Sequence, residues 1–367
     1  MTPPSGPRAY LWNPRGVLAL DGAVERVEPG AGDLCDALDR VARSPGWWAG
    51  WIAYDGHARF TRFERAATGP LRPPPAAGGG GGARPVVRAS LDRAGYLAAV
   101  RAALAAIGRG DVYQVNLCVR FDLQGVPAGL AGAWWRLAAE LRPRWCALLQ
   151  DGGHEVACLS PERFLEVDGR RVRTSPIKGT RPRGRTPAED RRNAAELAAD
   201  PKERAENIMI VDLLRNDLGR VARLGSVRAS RLLEVETYPH LHHLVSTVEA
   251  ELAPGRGLGD LVAAAFPCGS VTGAPKLAAM RLIRRLEPAA RGVSMGAVGW
   301  IRSTGRPAAL RARLGVAIRT VELAGDRAWL CAGSGIVAQS DAAAEYDELR
   351  LKADALLRAL GAGEDAG

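Results

Sequence analysis

Two hairpin patterns, separated by long helical stretches, constrain the fold of this chain most. Strand-like segments at 164–167 and 171–174 flank an Asp-Gly pair, and segments at 314–323 and 329–337 flank Ala-Gly-Asp. An Asp-Gly pair between such segments is a strong hairpin signal. Helical patterns cover 92–107, 187–218 (where Pro201 could interrupt the helix), 275–286, and 341–360 after Ser340 as N-cap. Hairpins interleaved with helices predict an α+β fold with antiparallel sheets rather than a parallel doubly wound sheet.

The domain organisation follows from one low-complexity stretch. Residues 73–82 read P-P-P-A-A-G-G-G-G-G and carry no packing side chain, which predicts a flexible connector. We expect an N-terminal segment at 1–72 that contributes strands to the core, a linker or loop at 73–84, a main domain at 85–360 and a disordered tail at 361–367. Trp47, Trp48, Trp51 and Ile52 predict one N-terminal strand.

Composition argues against several classes of protein. No apolar run approaches the ~20 residues that span a bilayer, and the N-terminus lacks the apolar segment of a secretory signal, so no membrane association is expected. The net charge of +10 is spread along the chain without a basic block. This argues against binding of nucleic acid and suits a cleft that binds a small anionic substrate. Six cysteines without a C-x-x-C pair predict reduced thiols and a cytoplasmic location.

Lysine is rare in this sequence. Of the 50 basic residues only four are lysines, namely Lys178, Lys202, Lys276 and Lys352. Arginine keeps its charge in proteins, whereas a buried lysine can lose its proton and act as a nucleophile. The four lysines are therefore candidates for chemistry that a guanidinium cannot perform. A general drift from lysine to arginine in the sequence would, however, also leave a few lysines by accident.

One carboxyl group is predicted to lie near the first lysine. A two-residue turn at 168–169 places Glu162 opposite Ser175, three residues before Lys178. The carboxyl and the amine could then act as general acid and nucleophile. A salt bridge at the rim of the sheet would give the same pattern.

Two acidic pairs suggest a site for a hard cation. Glu203 and Glu206 lie three residues apart on a predicted helix, as do Glu345 and Glu348, with Lys352 one turn beyond. Mg²⁺ is commonly held by one or two carboxylates plus substrate oxygens. Each pair alone could equally be a solvated helix face.

The second hairpin offers groups for binding an anion. It places Arg319 roughly opposite Cys331, with Gly333 and Gly335 nearby. Arginine binds a carboxylate through two bonds and glycines let backbone N–H groups approach it, although glycines also make bulges. The histidines at 240, 242 and 243 are better candidates for proton transfer than for a metal site, because no further ligand lies at a useful spacing.

Nine distinctive blocks follow one another along the chain: G-D-V-Y-Q-V-N-L (110–117), S-P-E-R-F (160–164), P-I-K-G-T (176–180), A-E-N-I-M-I-V-D-L-L-R-N-D-L (205–218), H-L-V-S (243–246), G-S-V-T-G-A-P-K (269–276), A-I-R-T (317–320), G-S-G-I-V (333–337) and E-Y-D-E (345–348). In this order, between about residues 111 and 357, they resemble the motifs of the chorismate-utilising enzymes. The resemblance implies antiparallel β-sheets forming a sandwich core surrounded by helices, with 85–360 as the chorismate-binding catalytic domain. The lysine of P-I-K-G-T is typical of the aminodeoxychorismate synthase component I subfamily; anthranilate synthases typically have P-I-A-G-T.

The resemblance also implies a Mg²⁺ site. Glu206 and Glu348 look like the metal ligands, and Glu203 and Glu345 would hold bound waters beside them. The metal ion would bridge to the ring carboxylate of chorismate, which Lys352 would also reach.

The remaining substrate contacts follow in the same way. Arg319 and the amides around Gly333 and Gly335 would hold the enolpyruvyl carboxylate, and Thr180 and Thr272 would line the ring pocket. The family's usual Tyr or Trp in R-G-x-[YW]-x-G is Ser294 here, which leaves the enolpyruvyl end differently lined.

For the reaction, the resemblance implies amination of chorismate at C4 to 4-amino-4-deoxychorismate. Lys178 would attack C2, Glu162 would protonate the departing 4-hydroxyl, and His243 looks like the family's active-site histidine. The chain has no G-x-C-x-G nucleophile elbow, so ammonia is expected from a separate glutamine amidotransferase subunit or free in solution. The missing L-L-E-S block argues against feedback control by tryptophan.

Two other functions stay open. An anthranilate synthase component I would aminate C2 and release pyruvate, and a non-catalytic member of the family would consume no chorismate. If the chain aminates C4, its product, 4-amino-4-deoxychorismate, could serve folate synthesis or a specialised metabolite.

Overall fold

The computed structural model describes residues 6–13, 16–70, 84–126 and 129–362. The predicted linker at 73–84 and tail at 361–367 therefore lie largely outside the described residues, although Ala362 is buried. The described residues form eighteen strands: β1 Arg8–Asn13, β2 Gly16–Val27, β3 Gly46–Ile52, β4 Ala58–Gly69, β5 Val86–Ala89, β6 Gln114–Gln124, β7 Trp145–Asp151, β8 His154–Ser160, β9 Arg163–Asp168, β10 Arg171–Ser175, β11 Ile177–Pro182, β12 Arg228–Thr237, β13 Leu241–Glu251, β14 Gly273–Ala274, β15 Ala297–Ser303, β16 Arg311–Val316, β17 Thr320–Ala324 and β18 Arg327–Ile336.

Eight α-helices accompany these strands in the described part of the chain. They are α1 Leu34–Arg43, α2 Arg93–Gly108, α3 Ala131–Leu141, α4 Pro187–Ala199, α5 Pro201–Gly219, α6 Leu258–Ala265, α7 Lys276–Leu286 and α8 Ala342–Ala359. Proline stands at the first position of α4 and of α5, where its missing N–H has no helical partner to lose. The side chain of Asp200 caps α5, so the stretch 187–218 is two helices. Within the described residues, none of the helices is both long and apolar enough to cross a membrane.

All strand pairings in the described residues are antiparallel, and they form two arms joined where β2 pairs with β4. One arm runs β2-β1-β7-β8-β17-β18-β6, and β5 and β14 flank β6. The other runs β4-β3-β15-β16-β9-β10-β13, with β11 and β12 beside β13. The predicted α+β fold with antiparallel sheets is confirmed.

Three apolar clusters hold the layers together. Strands from both arms share one cluster to which no helix contributes, including Leu18, Phe63, Leu149 and Val298, as expected for two packed sheets. The second cluster packs α2, α3, α7 and α8 against the first arm, and the third packs α1, α5 and α6 against the second. Helices thus cover the faces of the sheets outside the strand-on-strand core.

Both hairpins differ in register from the expectation. Asp168 pairs with Arg171, so residues 169–170 form the first turn, because Gly169 supplies the φ of 59° that the turn needs. A bulge then brings Ser175 opposite Arg163, so the expected pairing of Ser175 with Glu162 is wrong.

The segment 314–323 is not one strand. β16 ends at Val316 and β17 begins at Thr320, and Arg319 lies in the bend between them with a left-handed φ of 50°. Arg319 is therefore not opposite Cys331. The last helix is capped by Asp341 rather than Ser340, because the Asp341 carboxylate accepts the backbone N–H groups of residues 343 and 344.

Candidate active site

β11, in the second arm, brings Lys178 next to Gly335 of β18, in the first arm. A bulge separates Lys178 from Thr180, and Gly179 between them has a φ of 70°. Any larger residue at 179 would collide with Leu197, whose Cδ1 lies 2.6 Å from the position of an added Cβ. The Lys178 side chain is only 13% exposed, and its Nζ lies 3.6 Å from Glu206 Oε2.

Glu206, on α5, lies between Lys178 of β11 and Lys202 of its own helix. Its other oxygen is 3.9 Å from the Nζ of Lys202. Burial raises the pKa of Glu203, and the negative charges of Glu206 and Asp200 raise it further. The carboxylates of Asp200, Glu203 and Glu206 therefore repel one another at the start of α5.

Glu348 extends this acidic cluster from α8. Its carboxylate pairs with Lys352 at 2.8 Å. Burial acts to raise the pKa of Glu348, but Lys352, Lys202 and Lys178 outweigh it, and the pKa falls below its ordinary value. Because Lys178 and Lys202 also pair with Glu206, the two carboxylates lie in the field of the same cations.

Glu345 differs from its three predicted companions. It is buried and accepts a hydrogen bond from Ser340 Oγ at 2.7 Å, which holds its carboxyl at the start of α8. Lys352 reaches β18, where its Nζ donates to the carbonyl oxygen of Gly333 at 3.0 Å. Lys352 thus connects α8 to β18, which carries Gly333 and Gly335 and is called the glycine strand below.

Glu162 is a buried acid beside Lys178. Burial raises its pKa to about 7, against the opposing effects of Ser270, Lys178 and the backbone N–H of Ile177. Its Oε1 has no hydrogen-bond partner among the described residues. A carboxyl with this pKa is partly protonated near neutral pH and can donate a proton.

His243 is a neutral imidazole next to a cation. Burial lowers its pKa to about 4, and the positive charge of Arg319 contributes to the lowering. Its Nδ1 shares a hydrogen bond with Thr180 Oγ1 at 3.0 Å, and Tyr238 packs against the ring with centroids 5.6 Å apart. In the described part of the chain, burial alone, without a neighbouring charge, lowers the pKa of the Arg319 guanidinium.

Gly333 and Gly335 face β6 in the ladder, opposite Cys118 and Asn116. An added Cβ at Gly335 would lie 3.4 Å from Lys178 Nζ, so this strand passes directly beside the amine. Thr272 is fully buried, and its hydroxyl donates to the carbonyl oxygens of residues 268 and 269.

Gln114 is a polar residue of this region that the sequence alone did not single out. It is fully buried at the start of β6, and neither its amide oxygen nor its amide nitrogen has a partner among the described residues. The nitrogen lies 2.7 Å from where a Cβ of Gly335 would be. Because an unpaired buried amide is costly, Gln114 needs a partner that the described residues do not supply, either an ordered water or a ligand beside Lys178 and Gly335.

Ser294, which stands where the resemblance led us to expect Tyr or Trp, joins two strands. It is buried, its Oγ donates to the carbonyl oxygen of Thr320 at 3.2 Å, and it accepts the N–H of Cys331 at 3.3 Å. The hydroxyl therefore satisfies backbone groups of β17 and β18.

The carboxylates fit a divalent cation that is completed by substrate. In the described residues, no group of three or more His, Cys, Asp and Glu side chains stands ready to hold a metal ion. Yet burial and the negative charge of Glu206 raise the pKa of Glu203, and lysines pair with Glu206 and Glu348. Mg²⁺ needs only one or two carboxylates when substrate and water supply the remaining oxygens.

Comparison with known proteins places these residues in context. A family model described as chorismate binding enzyme matches residues 55–358. Anthranilate synthase component 1 of Streptomyces coelicolor is 39% identical over 375 aligned residues, which cover 99% of this chain and 69% of that protein. Aminodeoxychorismate synthase component 1 of Salmonella typhimurium is 41% identical over 277 residues, which cover 74% of this chain and 59% of that protein.

Solved structures agree with these matches. Anthranilate synthase component I from Streptococcus pneumoniae superposes with a TM-score of 0.80 at 26% identity and covers 98% of this chain and 93% of that chain. The menaquinone-specific isochorismate synthase of Escherichia coli has a TM-score of 0.79 at 21% identity, which shows a shared fold. Given the matched span and the identity to its relatives, this chain belongs to the family of chorismate-binding enzymes.

Proposed function

We propose that the chain is an aminodeoxychorismate synthase component I, which aminates chorismate at C4 with ammonia in a Mg²⁺-dependent reaction. The observation that carries the proposal is the buried Lys178 beside Glu206, Glu162 and Gly335. A solvent-facing lysine at this position would have removed the nucleophile from the site.

The chemistry follows from the position of these groups. The Lys178 amine attacks C2, both conjugated ring double bonds shift by one position towards C4, and the bond from C4 to its hydroxyl breaks. Glu162, whose pKa is about 7, gives its proton to that hydroxyl, which leaves as water. Ammonia then adds at C4, both double bonds return to their first positions and the lysine is expelled from C2. The proton lost by the added nitrogen restores Glu162, so that ammonia is taken up and water is released.

Binding of the dianionic substrate uses the cations and the glycine strand. Arg319 and the backbone around Gly333 and Gly335 hold the enolpyruvyl carboxylate, and Thr180 and Thr272 border the ring. Glu206 and Glu348 would hold Mg²⁺, and Glu203 and Glu345 beside them would hold bound waters, while Lys352 would reach the ring carboxylate. When bound, Mg²⁺ supplies charge neutralisation for that carboxylate. His243, neutral because its pKa is about 4, orients Thr180.

The ammonia source is part of the proposal. Several matched relatives are named as a component 1, which supports a separate glutamine amidotransferase subunit as partner. All six cysteines are free in the structure, which supports the expected cytoplasmic location.

Anthranilate synthase component I is the second candidate. The relative from Streptomyces coelicolor that carries this name aligns with 99% of the chain, whereas the aminodeoxychorismate synthase from Salmonella typhimurium aligns with 74%. Against it stands Lys178, for which anthranilate synthases typically have alanine.

Product identification distinguishes the candidates. Purified protein is incubated with chorismate, Mg²⁺ and an ammonium salt, and the products are separated by chromatography and identified by mass spectrometry. We expect 4-amino-4-deoxychorismate from the wild type and a loss of at least a hundredfold in Lys178→Ala. Lys178→Arg keeps the charge but should fail equally, because a guanidinium does not act as the nucleophile.

Three results would contradict the proposal. Anthranilate as the main wild-type product assigns the second function, and unchanged turnover in Lys178→Arg removes the nucleophile. Chorismate that is not consumed at any ammonia concentration identifies a non-catalytic family member.

A further inference from the structure

β6 lacks a strand neighbour along part of one edge. β18 pairs with residues 115–124 on one side. On the other side β14 pairs with residues 114–115 and β5 with residues 121–124, which leaves 116–120 without a ladder partner. Buried backbone groups need hydrogen bonds, so something else must satisfy this stretch.

Ser90 bonds the backbone groups of Arg120, and a buried ion pair serves residues 116 and 118. Glu287 Oε1 accepts the N–H of Cys118 at 2.8 Å, and Arg291 Nη2 donates to the carbonyl oxygen of Asn116 at 2.7 Å. The two side chains bind each other through two bonds, of 2.8 Å from Nε and 2.6 Å from Nη2, and the guanidinium lies 4.4 Å above the ring of Tyr54. The side chain of Arg291 is 2% exposed and that of Glu287 is 7% exposed.

The same guanidinium also reaches the loop that carries Thr272. Its Nη1 donates to the carbonyl oxygen of Val271 at 2.7 Å. The next residue, Thr272, accepts the N–H of Asn116 at 2.8 Å. Arg291 therefore ties the loop to the gap in β6, directly across from Gly333 and Gly335 on β18.

We propose that Arg291 is a positioning residue for chorismate, an inference that rests on the proposed function. Together with Glu287 it bonds backbone groups of Asn116 and Cys118 that have no strand partner. It thereby fixes the Thr272 loop and the glycine strand relative to each other. Lysine cannot replace it, because four acceptors around one planar group require the fork of an arginine.

The test compares Arg291→Lys with Arg313→Lys. Arg313 is a matched control, since it also bonds a backbone oxygen (Val167, 3.0 Å), pairs with a carboxylate (Glu166, 3.2 Å) and lies over a ring (Trp300, 5.7 Å) on β16. Hydrogen–deuterium exchange of peptides covering 114–120 and 269–276 is measured first. Chorismate affinity by calorimetry, KM and kcat follow.

We expect faster hydrogen exchange in both peptides for Arg291→Lys. Its KM for chorismate should rise at least tenfold, and kcat should fall by a smaller factor. Arg313→Lys should stay within twofold of the wild type in both measurements. Unchanged exchange in Arg291→Lys, or an effect on KM no larger than that of Arg313→Lys, overturns the positioning role. Should Arg291→Lys not fold, Glu287→Gln carries the same comparison.

Failure of the proposed function has a different signature. If the wild type neither binds nor consumes chorismate, the substrate assignment is wrong, and with it the role of Arg291 in positioning chorismate. The exchange measurement still decides separately whether the ion pair clamps the loop to β6.

Discussion

The scarcity of lysine located the site, but burial is needed to distinguish the lysines from one another. Lys178, Lys202 and Lys352 all contact the glutamate cluster, with side chains that are 13%, 49% and 41% exposed. Lys178 is the most buried of the three, and its amine lies beside both Glu206 and Gly335. The fourth, Lys276, instead forms a buried ion pair with Asp217.

The protonation of Glu162 gives a prediction about stability against pH. Its folded pKa of about 7 lies above the ordinary 4.5, so the folded protein binds this proton more tightly than the unfolded chain. The resulting stabilisation is complete below pH 4.5 and is lost as the pH rises through about 7. Glu162→Gln removes this dependence, so the stability of the variant relative to the wild type should increase between pH 5 and pH 8, by up to about 3 kcal/mol.

Chemical denaturation of both proteins at the two pH values checks this result. Glu166→Gln, on the neighbouring strand β9, serves as control and should show no such gain. Equal stability differences at the two pH values would show that Glu162 is ionised in the folded protein throughout, and would remove it as the general acid.

At the scale of elements, the types of structure were predictable and the register was not. Both hairpins and the helices around Pro201 follow from local signals. The turn at Gly169, the bulge at Gly179 and the bend at Arg319 depend on which residue takes a positive φ, and tertiary contacts decide that. The unpaired amide of Gln114 could not be found from the sequence, because its signal is burial without a partner.

The ion pair between α5 and α7 gives a prediction about stability alone. Lys276 Nζ donates to Asp217 at 2.7 Å and to the carbonyl oxygen of Ala265, at the end of α6, at 2.8 Å. Removing one partner leaves the other buried charge uncompensated, so Lys276→Met should cost about 3–5 kcal/mol of unfolding free energy. Urea unfolding monitored by circular dichroism measures this loss.

The double variant Lys276→Met/Asp217→Leu is the matched control. It removes both charges and should recover much of the lost stability. A double variant as unstable as Lys276→Met alone would mean that packing around residue 276, rather than its charge, holds the three helices together.

At the scale of the molecule, the two arms share one core, and the N-terminal strands belong to both. β3 pairs with β15 along seven residues, from Gly46 opposite Ser303 to Ile52 opposite Ala297. β1 pairs with β7, and Leu18 and Phe63 pack in the same cluster as Leu149 and Val298. We therefore propose that residues 1–72 complete the fold of 85–360 and do not form an independent unit.

A fragment beginning at residue 84 tests this proposal. Without β1–β4 the edges of β7 and β15 lose their partners and the strand-on-strand cluster is opened to solvent, so the fragment should not unfold cooperatively. Calorimetry should show a single transition for the whole chain and none for the fragment, and adding residues 1–72 as a separate polypeptide should restore the transition. The Lys276→Met/Asp217→Leu variant of the whole chain controls for general loss of stability. A fragment that melts cooperatively on its own would show instead that the N-terminal strands are a separate addition to a self-sufficient domain.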